Sequence, residues 1–226
     1  MKPEPERLTS EPNPVAPRRD ALVIDRPDRP RVASKRRMEI YVQASRLFVE
    51  KGYDATSMSD IAEAVNITKA GLYHFVKGKE DLLFTIMSFG MDELEDEVVN
   101  PSREIAEPLQ RLRFIIRAHL TNIGRVGTRH GNPVTIVADE PSGLSPEKRA
   151  IIDRRKRAYF ELIRDTLREL QAKGEVAESV DLTVATHTII GIILWMGRWR
   201  RPDGRLELEA IIEQITGMAL GGVLRR

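Results

Sequence analysis

Thr68, Lys69, Gly71, Tyr73 and His74 crowd hydroxyl, ammonium, phenol and imidazole groups into one short run. Those groups donate to phosphate oxygens and base edges, and a helix beginning at Thr68 would hold them at its N-terminal end and exposed side. Leu72 and Phe75 (or Val76) would form its buried side. Ser57 lies just upstream, and Lys79, Lys35 and Arg36 add positive charge on either flank. This is chemistry for holding a polyanion rather than for breaking bonds. With no cysteine and only four histidines, scattered along the chain, no nucleophile or acid–base pair emerges. His119, His130, Asp139 and Glu140 have spacings that match no compact metal site. No cofactor is expected.

The elements that position these groups can be read around them. Ser57 is a good N-cap, with Asp60 three residues later as the acid of a capping box. Met58, Ile61, Ala62 and Val65 recur at helical spacing, so the helix after Ser57 has one apolar face. Val65-Asn66-Ile67 breaks it, because Asn tolerates turn geometry, and Thr68 restarts a helix. Two helices so short and so closely joined must cross steeply, which is helix-turn-helix geometry. Such a pair sends the N-terminal end of its second helix into the major groove. A preceding helix from Ser34, with Ile40, Ala44, Leu47 and Phe48 inward, ends at Gly52. Lys79 opens a fourth helix, with Leu82, Leu83, Ile86 and Phe89 on one side.

The runs Thr56-Ser57-Met58-Ser59-Asp60-Ile61-Ala62, Thr68-Lys69-Ala70-Gly71-Leu72-Tyr73-His74-Phe75 and Lys79-Glu80-Asp81-Leu82-Leu83 resemble the DNA-binding domain of TetR-family regulators. The resemblance implies an all-α fold: a three-helix helix-turn-helix head and a larger helical body for effector binding and dimerisation. It implies that Tyr73 and Lys79 hold phosphates and that Thr68, Lys69 and His74 reach bases or nearby backbone. Gly71 departs from the pattern, which often has a hydroxyl residue there.

Composition sets the wider frame. A chain of 226 residues with 41% hydrophobic and 31% charged residues is long enough to bury a core. The longest apolar stretch, residues 189 to 196, is too short to span a membrane, and no export signal precedes it. A cytoplasmic setting is expected. Net charge is only +2, but the cations cluster around the head while Asp92, Glu93, Glu95, Asp96 and Glu97 follow it. Residues 1–33 carry seven of the 13 prolines and are expected to be a disordered Pro/Arg-rich tail. The expected organisation is tail 1–33, head 34–94 and body 95–226.

In the body, Asn100-Pro101-Ser102 reads as a boundary, with Ser102 capping a long helix toward Gly127. Ser145-Pro146 starts another that Gly174 stops, and Asp181 caps the next. The last two helices are apolar around much of their circumference, which argues for a partner. Ile189, Ile192, Trp199, Ile211, Ile215 and Met218 are the expected homodimer interface. A dimer would also read two half-sites of a double-stranded DNA operator. The family resemblance places an effector pocket among the middle helices, with Phe89, Phe114, His119, Ile136, Tyr159 and Phe160 as candidates. The stretches Ile136-Val137-Ala138-Asp139-Glu140, Leu144-Ser145-Pro146-Glu147 and Arg198-Trp199-Arg200-Arg201-Pro202-Asp203-Gly204 resemble TetR members that sense acyl-CoA thioesters of lipid or sterol breakdown. That resemblance implies a CoA contact by Arg198 and a tryptophan; the relatives' tryptophan falls at Leu194 here, with Trp195 adjacent. The function expected is a homodimeric, ligand-responsive DNA-binding regulator, with a small-molecule effector, such as an acyl-CoA thioester, releasing a repressor. An all-helical enzyme and a protein-interaction module are the alternatives.

Overall fold

The computed structural model describes residues 35–125, 143–201 and 203–225. The tail, Ile136, His130, Asp139 and Glu140 lie outside them. Among the described residues the fold is all-α, and the β-structure is one isolated antiparallel bridge, Val176 to Leu224. The head comprises α1 (Lys35–Lys51), α2 (Met58–Ala64) and α3 (Lys69–Tyr73), followed by α4 (Lys79–Leu94). The chain then makes a π-helical turn over Glu95–Val99 and runs into α5 (Asn100–Arg103). The body adds α6 (Pro108–Arg125), α7 (Pro146–Ala172), α8 (Leu182–Trp199) and α9 (Leu208–Gly221).

Helix α6 is the axis of the body and packs against α7, α8 and α9. Leu112, Ile115, Ile116, Leu120 and Ile123 repeat at helical spacing along it and are fully buried. Each contributes about 1.5–3 kcal/mol relative to exposure. Gly124 lets α9 come close at the end of α6, since a Cβ there would stand 2.5 Å from Leu208 Cδ1. Local signals behave as their chemistry dictates. Gly52 and Gly174 stop α1 and α7 at positive φ, 86° and 77°. Ser145 and Asp181 accept backbone N–H groups at the starts of α7 and α8.

Two expectations are corrected here. Ser102 does not cap a helix; it is buried inside α5, and its hydroxyl donates to Val99 O at 2.8 Å. The break comes later, where the Glu107 carboxylate accepts the N–H of Gln110 at 2.8 Å and α6 begins. Pro101 looks like a breaker because it has no N–H. The chain absorbs it by widening the preceding turn, with Asn100 N–H donating back to Glu95 O. Helical structure therefore runs from Lys79 to Arg103 across residues 94 and 95.

Head and body meet along α4. The Tyr53 ring lies against Gly143, and its hydroxyl donates to Gly143 O at 3.4 Å. Glu80 accepts the Ser145 N–H at 3.0 Å, and Lys148 reaches Asp81 at 3.2 Å. Seven residues along α7 from Lys148, the buried Arg155 donates to Asp92 at 2.6 Å, Glu95 at 2.9 Å and the Ser88 carbonyl at 3.3 Å. Helix α7 thus holds α4 near both ends.

Candidate nucleic-acid interface and ligand cavity

The capping box at α2 is complete: Ser57 Oγ accepts the Asp60 N–H at 3.1 Å, and Asp60 Oδ2 accepts the Ser57 N–H at 2.8 Å. The Ser57 hydroxyl also donates to that carboxylate. These bonds, chiefly the hydroxyl's, and the Lys51 ammonium hold the Asp60 carboxyl down to about 2. Asn66 turns the chain at φ 54°, as an Asn tolerates and a β-branched residue would not. Thr68 Oγ1 then accepts the Gly71 N–H at 3.0 Å and starts α3. Met58, Ile61, Ala62, Val65, Leu72 and Val76 are buried, so both short helices are anchored on one core.

Anchoring of that side leaves the other in solvent. Thr68, Lys69, Tyr73 and His74 are exposed, Tyr73 to 47%, and Gly71 is half-buried among them. A Cβ at Gly71 would sit 3.2 Å from Thr68 Oγ1, so the small residue spares the cap from crowding. Ser57 and Lys35 are also exposed. Arg36 pairs with Glu39 at 2.5 Å and donates to the Val65 carbonyl, tying α1 to the end of α2. Lys79 donates to the carbonyls of Tyr53 at 2.9 Å and Asp54 at 3.3 Å, with its ammonium 4.3 Å from the Tyr53 ring centre. Arg36 and Lys79 therefore brace the scaffold that presents α3.

The body contains a cavity of about 750 Å³. Its buried wall includes Met91 and Leu94 from α4, His119 from α6 and Tyr159 from α7. Ile190 and Leu194 from α8 and Phe160 extend the apolar lining. Asp153, Arg157, Thr183 and His187 stand at its exposed edge, with Lys156, Glu161 and Arg164 half-buried beside them. The Phe160 and His187 rings pack 4.7 Å apart between α7 and α8. The inner wall suits hydrocarbon; at the rim Arg164 is paired with Glu161, and Lys156 and Arg157 beside them suit an anion.

Of the expected effector residues, His119, Tyr159 and Phe160 line this cavity. Phe89 does not: its ring packs toward Tyr41 of α1, with centroids 6.3 Å apart. Phe114 is half-buried and also outside the lining. Trp195 is 62% exposed, because Ile190 and Leu194 occupy the inward arc of α8 and Trp195 is rotated away from it. Arg198, a turn past Leu194 at the helix end, is exposed and outside the lining too. The residue missed was Leu194 itself, which lines the cavity one position before Trp195.

The expected dimer residues divide in two. Ile189, Ile211 and Ile215 are buried in the chain's own core, at 0%, 6% and 8% exposure, and are unavailable to a partner. They face α6 and the other body helices, which consume that arc of α8 and α9. Ile192 is half-buried. The uncovered arcs hold Val184, Trp195 and Trp199 on α8 and Met218 on α9, with Trp199 48% and Met218 68% exposed. Gly191, Gly217 and Gly221 lie on the same exposed faces, where a Cβ would meet nothing within 4 Å. A single chain thus leaves tryptophan, methionine and valine in water beside bare helix backbone.

Comparison with known proteins agrees with this architecture. Residues 40–86 match the family described as bacterial regulatory proteins, tetR family, and residues 106–223 match the tetracyclin repressor-like C-terminal domain. The chain is 28% identical over 199 residues to the HTH-type transcriptional repressor KstR2 of Mycolicibacterium smegmatis, covering 87% of this chain and 95% of that protein. It is 24% identical over 187 residues to the fatty acid metabolism regulator protein of Bacillus subtilis, covering 82% of this chain and 94% of the relative. Among solved structures, AibR in complex with isovaleryl coenzyme A and operator DNA superposes with a TM-score of 0.69 at 38% identity, covering 81% of this chain and 97% of AibR. With a helix-turn-helix head, a helical body and family matches over both, this chain belongs to the TetR family of bacterial transcriptional regulators.

Proposed function

We infer that the protein is a homodimeric transcriptional repressor whose α3 surface binds an operator and whose cavity takes an acyl-CoA thioester that releases it. The observation that carries this reading is the cavity's position and lining. Its hydrocarbon wall is built partly from α4, the helix that continues out of the head, and its rim carries Lys156 and Arg157. An acyl chain fits the first and the CoA phosphates fit the second. AibR, captured with an acyl-CoA and DNA, supports the ligand class, and KstR2 supports repression.

Thr68, Lys69, Tyr73 and His74 touch bases and backbone, and Lys35 adds a phosphate contact. Lys79 and Arg36 act chiefly by holding the head in shape. Two chains pair through Val184, Trp195, Trp199 and Met218, closing a four-helix bundle that sets the spacing of the heads. Effector binding displaces Met91 and Leu94 and tilts α4. Release by a factor of 100 needs a coupling of about 2.7 kcal/mol, an ordinary allosteric value.

The test is fluorescence anisotropy of a labelled operator fragment, chosen by selecting bound genomic DNA, with isovaleryl-CoA or free CoA added. The thioester should lower DNA affinity at least tenfold and free CoA should not. DNA affinity indifferent to a panel of acyl-CoAs from short to long chain would refute the ligand class, and no retained genomic DNA would refute the operator.

A further inference from the structure

One polar pair on the cavity wall is left over by a reading that needs only hydrocarbon and phosphate. His119 Nδ1 lies 2.8 Å from the Tyr159 hydroxyl, and the rings meet edge-on with centroids 5.3 Å apart. Both side chains line the cavity, and only 2% and 5% of their surfaces are exposed. Burial holds the imidazole neutral, with its pKa lowered to about 4, and pushes the phenol upward. At neutral pH the pair therefore owns two polar hydrogens, one on the ring and one on the phenol.

The mutual bond consumes one of them whichever tautomer forms. If the phenol donates to Nδ1, the ring keeps its hydrogen on Nε2; if Nδ1–H donates to the phenol oxygen, the O–H is left. Neither side chain makes a second hydrogen bond among the described residues. One donor is thus unmatched on the inner wall of the pocket, beside Met91, Leu94, Ile190 and Leu194 and apart from the polar rim, where leaving it unmet is unfavourable.

We propose that the His119–Tyr159 pair reads a hydrogen-bond-accepting oxygen on the acyl portion of the effector. The cavity then selects a hydroxy- or keto-acyl thioester over the plain alkyl thioester of the same carbon skeleton. The inference rests on the acyl-CoA reading above and deepens it. A site built to bond a substrate oxygen discriminates against the analogue lacking it far more sharply than an apolar pocket resolves a methylene.

Calorimetric titration of the full-length protein with matched pairs at four, five and eight acyl carbons tests this: butyryl- against 3-hydroxybutyryl- and acetoacetyl-CoA, isovaleryl- against 3-hydroxyisovaleryl-CoA, and octanoyl- against 3-hydroxyoctanoyl-CoA. An oxygenated member should bind at least about tenfold more tightly than its alkyl partner. In the double variant His119→Leu/Tyr159→Phe, which replaces both polar partners by apolar groups, the ratio should fall to about two or less. Should that variant not fold, Tyr159→Phe alone should cut the ratio by at least about threefold. Equal affinities in the native protein, an alkyl preference, or a ratio that survives in the folded variant would overturn the proposal while leaving the acyl-CoA reading intact. Binding of none of these thioesters would overturn both.

Discussion

Arg155→Met tests whether α7 grips the helix leading out of the head. The substitution keeps the aliphatic stem and removes the guanidinium that reaches Asp92 at 2.6 Å and Glu95 at 2.9 Å. The two bonds to carboxylates, at about 1.5–3 kcal/mol each, contribute at most about 6 kcal/mol, and the longer bond to the Ser88 carbonyl adds less. Asp92 and Glu95 keep 31% and 26% of their side-chain surfaces in water, so rehydration returns part of that. The carboxylates are also crowded. Glu93 beside them is pushed above the usual carboxylate range by burial and by Glu97, Asp96 and Asp92, and removing Arg155 takes the paired cation from Asp92 and Glu95. A loss of about 3 kcal/mol results, at the low edge of what breaking a buried ion pair costs. Urea unfolding followed by circular dichroism should show the midpoint fall by about 1 M with an unchanged slope. Adding Asp92→Asn and Glu95→Gln should recover at least about 1 kcal/mol, because the uncompensated charges go with their partner. In anisotropy the variant should bind effector within about threefold of the native protein yet transmit less of that binding to DNA. A stability loss under about 1 kcal/mol, or carboxylate substitutions that only add further damage, would refute the reasoning.

Other expectations concern separate parts of the molecule. Ser57→Ala should cost about 1 kcal/mol by opening the capping box, as read by thermal melting. Because the Asp60 carboxyl is depressed from 3.8 to about 2, its contribution is present above its unfolded value and lost as pH falls through about 2. His119 has the opposite consequence. Its folded pKa lies near 4, below the ordinary 6.5, so the unfolded chain takes up the proton first and stability declines as pH drops from 6.5 toward 4. That decline amounts to about 3 kcal/mol at most, and His119→Leu should flatten it in melts across this window. Trp195→Glu together with Met218→Glu should convert the dimer to monomer in sedimentation velocity, since both side chains protrude from the uncovered faces of α8 and α9.

Local chemistry explains why the head was so legible. Ser57 with Asp60, Asn66, Thr68 and Gly52 act within a few residues of themselves, and each does in three dimensions what its type and spacing predict. The π turn was hidden because Asn100-Pro101 signals a break, and only the tertiary path shows the helix widening instead. Arg155 was equally hidden. It sits in the run Arg154-Arg155-Lys156-Arg157, which reads as a solvated stripe until the carboxylates of α4 and the π turn are brought opposite. The apolar excess of α8 and α9 was readable, but its division between core and partner was not. Ile189 and Trp199 both look like interface residues in a string, and the rotation of each helix against α6 decides which one is covered. Tyr53, which packs on Phe48, Lys79 and Gly143 at once, carried no motif at all.

The most direct measurement is operator affinity against salt for the native protein and for Lys69→Ala and His74→Ala. Both variants should bind the selected operator at least about tenfold more weakly while remaining folded, and Lys69→Ala should also flatten the plot of log affinity against log salt by about one unit. Native affinity and slope in both folded variants would mean that DNA meets some other face of the protein.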